Sequence, residues 1–169
     1  MSEQLSSTCN GKIFIAYSHR DKHWLERLQI MLKPLFGLAQ LTTWADTQLL
    51  AGSEWFKEIR LALSSARVAI LFVTPDFLAS DFITKYELPQ LLKANKEKGL
   101  TILWIAVSAS LYEETEIAKY QALNDPARPL DSLTRSERNQ VLVKICQQIK
   151  GCALTNCIHE YKVPGVRAL

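Results

Sequence analysis

The sequence predicts an α/β protein built on a doubly wound parallel sheet of strand order 2-1-3-4-5, with helices on both faces. Aliphatic segments with few polar residues lie at 12–18, 66–73 and 100–107, the pattern of strands buried on both faces. Amphipathic segments of helical period separate these strands. Alternating strands and helices favour a parallel sheet joined by right-handed crossovers, and the order 2-1-3-4-5 is the simplest such arrangement.

Length and hydropathy favour one cytoplasmic domain. The 169 residues are enough for a core without metal or disulfide support. We predict a disordered leader at 1–10, the domain at 11–150, and a tail or linker at 151–169. No apolar run approaches the roughly 20 residues of a membrane span, and the polar start lacks the core of a secretory signal.

Cysteine spacing and charge exclude two further classes of function. The four cysteines form no CxxC pair, so we expect no metal site, and in a cytosolic protein we expect reduced thiols. The net charge is only +3 and the basic residues are dispersed, which argues against nucleic-acid binding.

The first half of the chain begins with a strand at 12–18. Apolar residues at helical spacing then predict a helix over 21–36. A short second strand follows at 41–45. After it comes a loop at 47–52, and Ser53 is a good N-cap for the next helix.

The segment after the third strand, 66–73, carries the candidate catalytic residue. Ser80 is placed to cap a helix that contains Glu87 and Pro89. A proline inside a helix lacks the amide hydrogen for the preceding turn, so we expect the helix to be loosened beside Glu87. A helical projection sets Glu87 next to Ile83 and Ala94 and away from the apolar stripe, so we expect that it does not simply point into the core. The apolar stripe comprises Leu78, Phe82, Leu88, Pro89 and Leu92.

The last part of the domain holds a buried strand, a weak strand and a helix. The fourth strand is predicted at 100–107, and a short or irregular edge strand near 120–123. A helix over 134–150 closes the domain. Thr134 with Glu137 three residues later has the spacing of a capping box.

The sheet order indicates where a ligand binds. In doubly wound sheets the crevice lies beyond the carboxyl ends of the strands where the order reverses, here between strands one and three. Motifs for a Rossmann site, a P-loop or a zincin are missing. Thr74 ends the third strand, where a phosphoacceptor receiver domain needs an aspartate. The loops bring to this crevice Tyr17, Ser18, His19, Arg20, Asp21, Asp46, Ser80 and Glu87.

Three motifs resemble those of TIR (Toll/interleukin-receptor) domains of the bacterial type. FIAYSHRD at 14–21 resembles their first box. The segment 44–52, which begins WAD, together with Trp55 resembles their second strand and the long loop after it. FLAS at 77–80 with ELP at 87–89 resembles their helix segment. The resemblance covers 12–150 and implies a flavodoxin-like fold.

In many bacterial, plant and axonal members, such domains cleave NAD between nicotinamide and ribose. The resemblance implies that Glu87 is the catalytic glutamate and that NAD is a substrate, with no further cofactor. Many members have tryptophan four residues before the glutamate, where this chain has Ile83. The residues implied to border the substrate are Tyr17, Ser18, His19, Arg20, Asp46, Phe82 and Ile83.

The resemblance also implies self-association, which would order the loop at 46–52 and activate the enzyme. A sensor domain or upstream partner would supply the signal, in bacterial defence or stress signalling. Two alternatives stay open. One is a TIR adaptor that only docks other TIR domains, and the other is an enzyme similar to nucleoside deoxyribosyltransferases, which also use a glutamate.

Overall fold

The computed structural model of the protein describes residues 12–35, 41–45 and 54–160. These ranges contain one sheet of parallel strands in the order β2-β1-β3-β4-β5. The predicted fold class is confirmed, and the last strand is only two residues long. The strands are β1 (Lys12–Tyr17), β2 (Leu41–Ala45), β3 (Ala66–Val73), β4 (Thr101–Ala106) and β5 (Gln121–Ala122).

Helices connect the strands, and three of them differ from prediction. The short helix Pro75–Ala79 was not predicted, and the first and last helices have other bounds. The first is shorter than the predicted 21–36 and follows a 3₁₀ turn, His19–Asp21. The last runs ten residues beyond the predicted end at 150. Within the described ranges, no helix is both long and apolar enough to cross a membrane. The helices are α1 (Lys22–Leu32), α2 (Trp55–Ser65), α3 (Pro75–Ala79), α4 (Leu88–Lys98) and α5 (Arg135–Glu160).

Several sequence-based predictions fall outside the described residues. They are the leader at 1–10, the loop at 47–52 and the cap at Ser53.

The sheet separates two apolar cores, because successive side chains of a strand point to opposite faces. On β1, Ile13 and Ile15 pack with α1 and α5, whereas Phe14 and Ala16 pack with α2 and α4. β3 is buried along almost its whole length, as expected for a central strand covered on both faces. Its carboxyl end is therefore held rigidly, and the loop after it starts from a fixed point.

Two cysteines of α5 have side chains that the structure describes, and both are free thiols. Cys146 lies on the buried face of the helix, in the core, and Cys152 is half-buried. Burial raises the pKa of the Cys146 thiol to about 11. This cysteine therefore stays protonated at neutral pH and is a packing residue rather than a nucleophile.

The predicted capping box opens α5. The backbone amide and the hydroxyl of Thr134 both donate to Glu137 Oε2 at 2.9 Å, and the Glu137 amide donates back to Thr134 Oγ1 at 3.3 Å. These bonds, first from the Thr134 backbone and then from its hydroxyl, lower the pKa of Glu137 from its ordinary value of 4.5. The reciprocal pair fixes the first turn of a helix that covers one face of the sheet.

We expect the capping box to contribute an acid-sensitive part of the stability. Because the pKa of Glu137 is lower in the folded chain, its contribution is complete above pH 4.5 and is lost as the pH falls through the folded value. Glu137→Gln should therefore lose less stability than the wild type on acidification below pH 4.5. Urea unfolding midpoints at pH 6 and at pH 3.5 measure this. If the unfolding midpoints of the wild type and Glu137→Gln decrease equally between pH 6 and pH 3.5, the capping box makes no acid-sensitive contribution.

Candidate functional site

The loops after β1 and β3 are joined by a buried hydrogen bond. These strands are neighbours at the point where the strand order reverses. Thr74, directly after β3, donates from Oγ1 to Asp21 Oδ2 at 2.6 Å, and only 7% of Asp21 and 1% of Thr74 are exposed. Thr74 Oγ1 also accepts from the Phe77 amide at 3.0 Å and so caps α3. One hydroxyl thus fixes both edges of the crevice relative to each other.

Sequence patterns did not predict the bond between Asp21 and Thr74. They placed Asp21 in the loop after the first strand, at the crevice, and Thr74 at the end of the third strand, without pairing the two. The sequence does contain a signal for α3, because Thr-Pro at 74–75 is an N-cap followed by a proline at the first helical position. A hydrogen bond between residues 53 positions apart has no such local signal.

Some polar residues of the loop after β1 are buried and others are exposed. Ser18 is buried and its hydroxyl accepts from the Arg20 amide at 3.4 Å, which shapes the 3₁₀ turn. His19 and Arg20 are exposed. Arg20 Nε lies 4.0 Å from Asp76 Oδ1 on α3, and this long ion pair between exposed side chains contributes little stability. The Arg20 guanidinium therefore links the loop after β1 to α3 through a contact that can be exchanged at low cost.

Besides Ser18, three further predicted substrate contacts are buried side chains. Tyr17 belongs to the core beneath α1 and α5, on the opposite face of the sheet from the segment that carries Glu87. Phe82 and Ile83 are 3% and 1% exposed and pack in the core on the Glu87 side. Asp46 lies outside the described residues.

The helix is loosened at Glu87, as predicted. Ile83–Glu87 form a π-helical turn, in which the Leu88 amide donates to the Ile83 carbonyl five residues earlier. Pro89, which has no amide hydrogen for the carbonyl of Lys85, lies in the first turn of α4. Such single π-turns within α-helices are frequent at functional sites.

The expectation that Glu87 does not point into the core is wrong, but its predicted grouping with Ile83 and Ala94 agrees with the burial of all three residues. Glu87 is 0% exposed and both of its carboxylate oxygens are shielded from solvent. It lies on one buried face with Ile83, Leu91 and Ala94, whereas Pro89 is exposed.

The error comes from treating the segment as one regular helix. The backbone leaves helical geometry at Ser80, with φ −71° and ψ 113°, so that Leu78 belongs to α3. The π-turn then shifts the helical phase of α4 relative to the residues before it. A stripe counted at a constant 100° per residue from Leu78 therefore selects the wrong face.

Comparison with known proteins identifies the family. Residues 13–140 match the family model described as TIR domain. The chain belongs to the TIR domain family. The match runs from β1 into α5, so that it includes the whole sheet, the Asp21–Thr74 bond and the π-turn with Glu87.

This TIR domain is also similar to the uncharacterized protein y4lF of Sinorhizobium fredii (strain NBRC 101917 / NGR234). The two are 23% identical over 118 residues, which is 70% of this chain and 36% of that protein. The chain thus spans about a third of the length of this relative.

Proposed function

We propose that this TIR domain cleaves NAD at the nicotinamide–ribose bond and that Glu87 is the catalytic carboxylate. The observation that carries the proposal is the complete burial of Glu87 in a π-helical turn after the central strand. Burying a carboxylate costs free energy, and glutamate is among the residues least often fully buried. The burial of the Glu87 carboxylate in an irregular turn is therefore costly. In a family that includes NAD-cleaving members, this favours a catalytic role for Glu87 over a structural one.

A single carboxylate is sufficient for this chemistry. The bond between ribose C1′ and the pyridinium nitrogen breaks with its electron pair going to nitrogen, so nicotinamide leaves as a neutral molecule and needs no general acid. The positive charge that develops on the ribose is stabilised by the Glu87 anion, as in glycoside hydrolysis. Water then adds to C1′ and releases a proton, which gives ADP-ribose. Attack by an atom of the same ADP-ribose would give a cyclic isomer.

The residues around the first loop would bind the rest of the substrate. Arg20 is exposed, and its long contact with Asp76 is readily exchanged for a bidentate contact to a phosphate. His19 is exposed beside it, and Ser18 forms the base of the turn. We propose that Tyr17, Phe82 and Ile83 support the walls of the substrate site from within the core. Asp46 would contact the substrate from the neighbouring loop, after β2.

Self-association would control access to the carboxylate. Because both Glu87 oxygens are shielded from solvent, NAD contacts them only after the side chains over Glu87 move. TIR domains generally self-associate, and we propose that association of this chain stabilises the open arrangement. The specific activity should then rise with protein concentration.

A substrate panel separates the three candidate functions. The protein is incubated over a range of concentrations with NAD or with deoxynucleosides, and the products are resolved by chromatography. Free nicotinamide that increases more than linearly with protein supports the proposal. Free base from deoxynucleosides would instead support the nucleoside deoxyribosyltransferase-like alternative. Intact substrates at every concentration, including protein clustered on a surface, would support the adaptor.

A further inference from the structure

A positively charged groove lies between α1 and α5, on the face of the sheet opposite Glu87. Its volume is about 340 Å³. Trp24 forms its apolar floor, with the Arg138 guanidinium 4.9 Å and the His23 ring 5.2 Å from the Trp24 ring centre. We call this the basic groove, lined by His23, Trp24, Arg27, Arg135, Arg138 and Asn139.

The basic groove keeps its positive charge in the free chain. Arg27 donates to the Asn139 amide oxygen at 2.8 Å, and Arg138 donates to the Leu130 and Leu133 carbonyls, all of which are uncharged acceptors. Arg135 is exposed and forms no ion pair with the side chains that the structure describes. The groove also adjoins the first turns of α1 and α5, whose dipoles add positive potential. These features favour a carboxylate-bearing partner.

A segment of matching chemistry lies on the other face of the sheet. We call residues 111–116 the acidic loop. Leu111 is 78% exposed there, next to the exposed Glu113 and Glu114. Tyr112 anchors the loop by packing on Trp104, with ring centres 4.6 Å apart, in the core on the Glu87 side. The loop thus presents one large apolar side chain and two carboxylates on a fixed base.

We propose that the basic groove of one copy of this chain binds the acidic loop of a second copy. In this contact Leu111 covers Trp24, Glu113 faces Arg27, and Glu114 faces Arg135. The proposal rests on the self-association proposed above and names its surfaces. Because groove and loop lie on opposite faces of one sheet, each copy offers both to different neighbours, and the contact is head-to-tail rather than two-fold symmetric.

The acidic loop also connects this contact to the catalytic segment. A second groove, of about 490 Å³, has the loop as one wall, and its other wall includes Ile83, Thr84 and Leu88. Ile83 begins the π-turn that ends at Glu87. Docking of the loop into a neighbouring copy therefore acts on the wall that faces the π-turn, and association and activity should change together.

Charge reversal and exchange test the contact. Arg135→Glu alters an exposed side chain at the start of α5, where a negative charge suits the helix dipole, so folding is preserved. Glu114→Lys alters the facing carboxylate. Each single variant should associate about tenfold more weakly than the wild type, because like charges meet in the contact. The double variant Arg135→Glu/Glu114→Lys should recover association.

Association is measured on the 169-residue chain by light scattering coupled to size exclusion. Matched controls reverse exposed charges away from both surfaces, Lys57→Glu on α2 and Glu97→Lys on α4, and should associate as the wild type does. A monomeric wild type at millimolar concentration, or an Arg135→Glu variant that associates normally, would overturn the contact. So would a double variant no better than the singles.

Nicotinamide release is recorded in the same samples. If the wild type associates through these surfaces but never releases nicotinamide, the proposed enzyme function fails and the contact stands. If Arg135→Glu loses association but cleaves NAD at the wild-type rate, the enzyme function stands and the coupling between contact and activity is overturned.

Discussion

Glu87→Gln is expected to lower nicotinamide release from NAD by about 100- to 1000-fold, the usual effect of removing one electrostatic stabiliser of a transition state. Glutamine has nearly the same shape as glutamate but carries no charge. The substitution therefore removes the anion proposed to face the developing positive charge on ribose and keeps a side chain of nearly the same volume at this buried position. Release is measured at a protein concentration at which the wild type is associated.

The matched control is Glu97→Gln, which makes the same chemical change at an exposed position of α4. This variant should retain the wild-type rate. Circular dichroism and thermal unfolding establish that both variants are folded. A folded Glu87→Gln variant as active as Glu97→Gln would remove Glu87 from the mechanism.

Thr74→Val is expected to lower the free energy of unfolding by about 2–4 kcal/mol. Valine keeps the shape of threonine but loses the hydroxyl, so α3 loses its N-cap, which contributes about 1 kcal/mol. The buried Asp21 carboxylate also loses the hydrogen bond at 2.6 Å, and removing one partner of a buried pair costs roughly 1–3 kcal/mol. Urea unfolding at pH 7 measures the sum.

Thr74→Ser is the control for this prediction, because serine keeps the oxygen that both donates to Asp21 and accepts from Phe77. It should recover most of the loss. If the valine and serine variants are equally stable, the bond between the two loops contributes nothing to holding the crevice together.

The sequence predicted the sheet well because its central strands carry an unambiguous signal. The predicted third strand, 66–73, has the observed bounds of β3, and the second, 41–45, those of β2. An aliphatic run of eight residues closed by a proline leaves little choice of structure. The same proline explains why α3 was not predicted. Pro75 is compatible with the end of a strand and equally with the first residue of a helix.

The site was predicted less completely, for two physical reasons. A prediction of the buried face from periodicity requires a regular helix. Here the helix is interrupted at Ser80, and the π-turn before Pro89 changes the angle between successive residues. The Asp21–Thr74 bond depends on the neighbouring positions of β1 and β3, which local patterns do not encode. Pro89 did indicate the irregular turn, because the missing amide hydrogen is a property of the residue itself. The assignments of substrate contacts stay predictions.

The central claim, that a negative charge at position 87 drives the cleavage, is tested most directly by chemical rescue. Glu87→Ala removes the carboxylate and opens space for a small anion. We predict that this variant releases almost no nicotinamide from NAD in chloride buffer, and that added formate restores release in proportion to its concentration while the wild type is unaffected. Release by Glu87→Ala at the wild-type rate without formate, or no restoration at any formate concentration in a folded and associated variant, would contradict the claim.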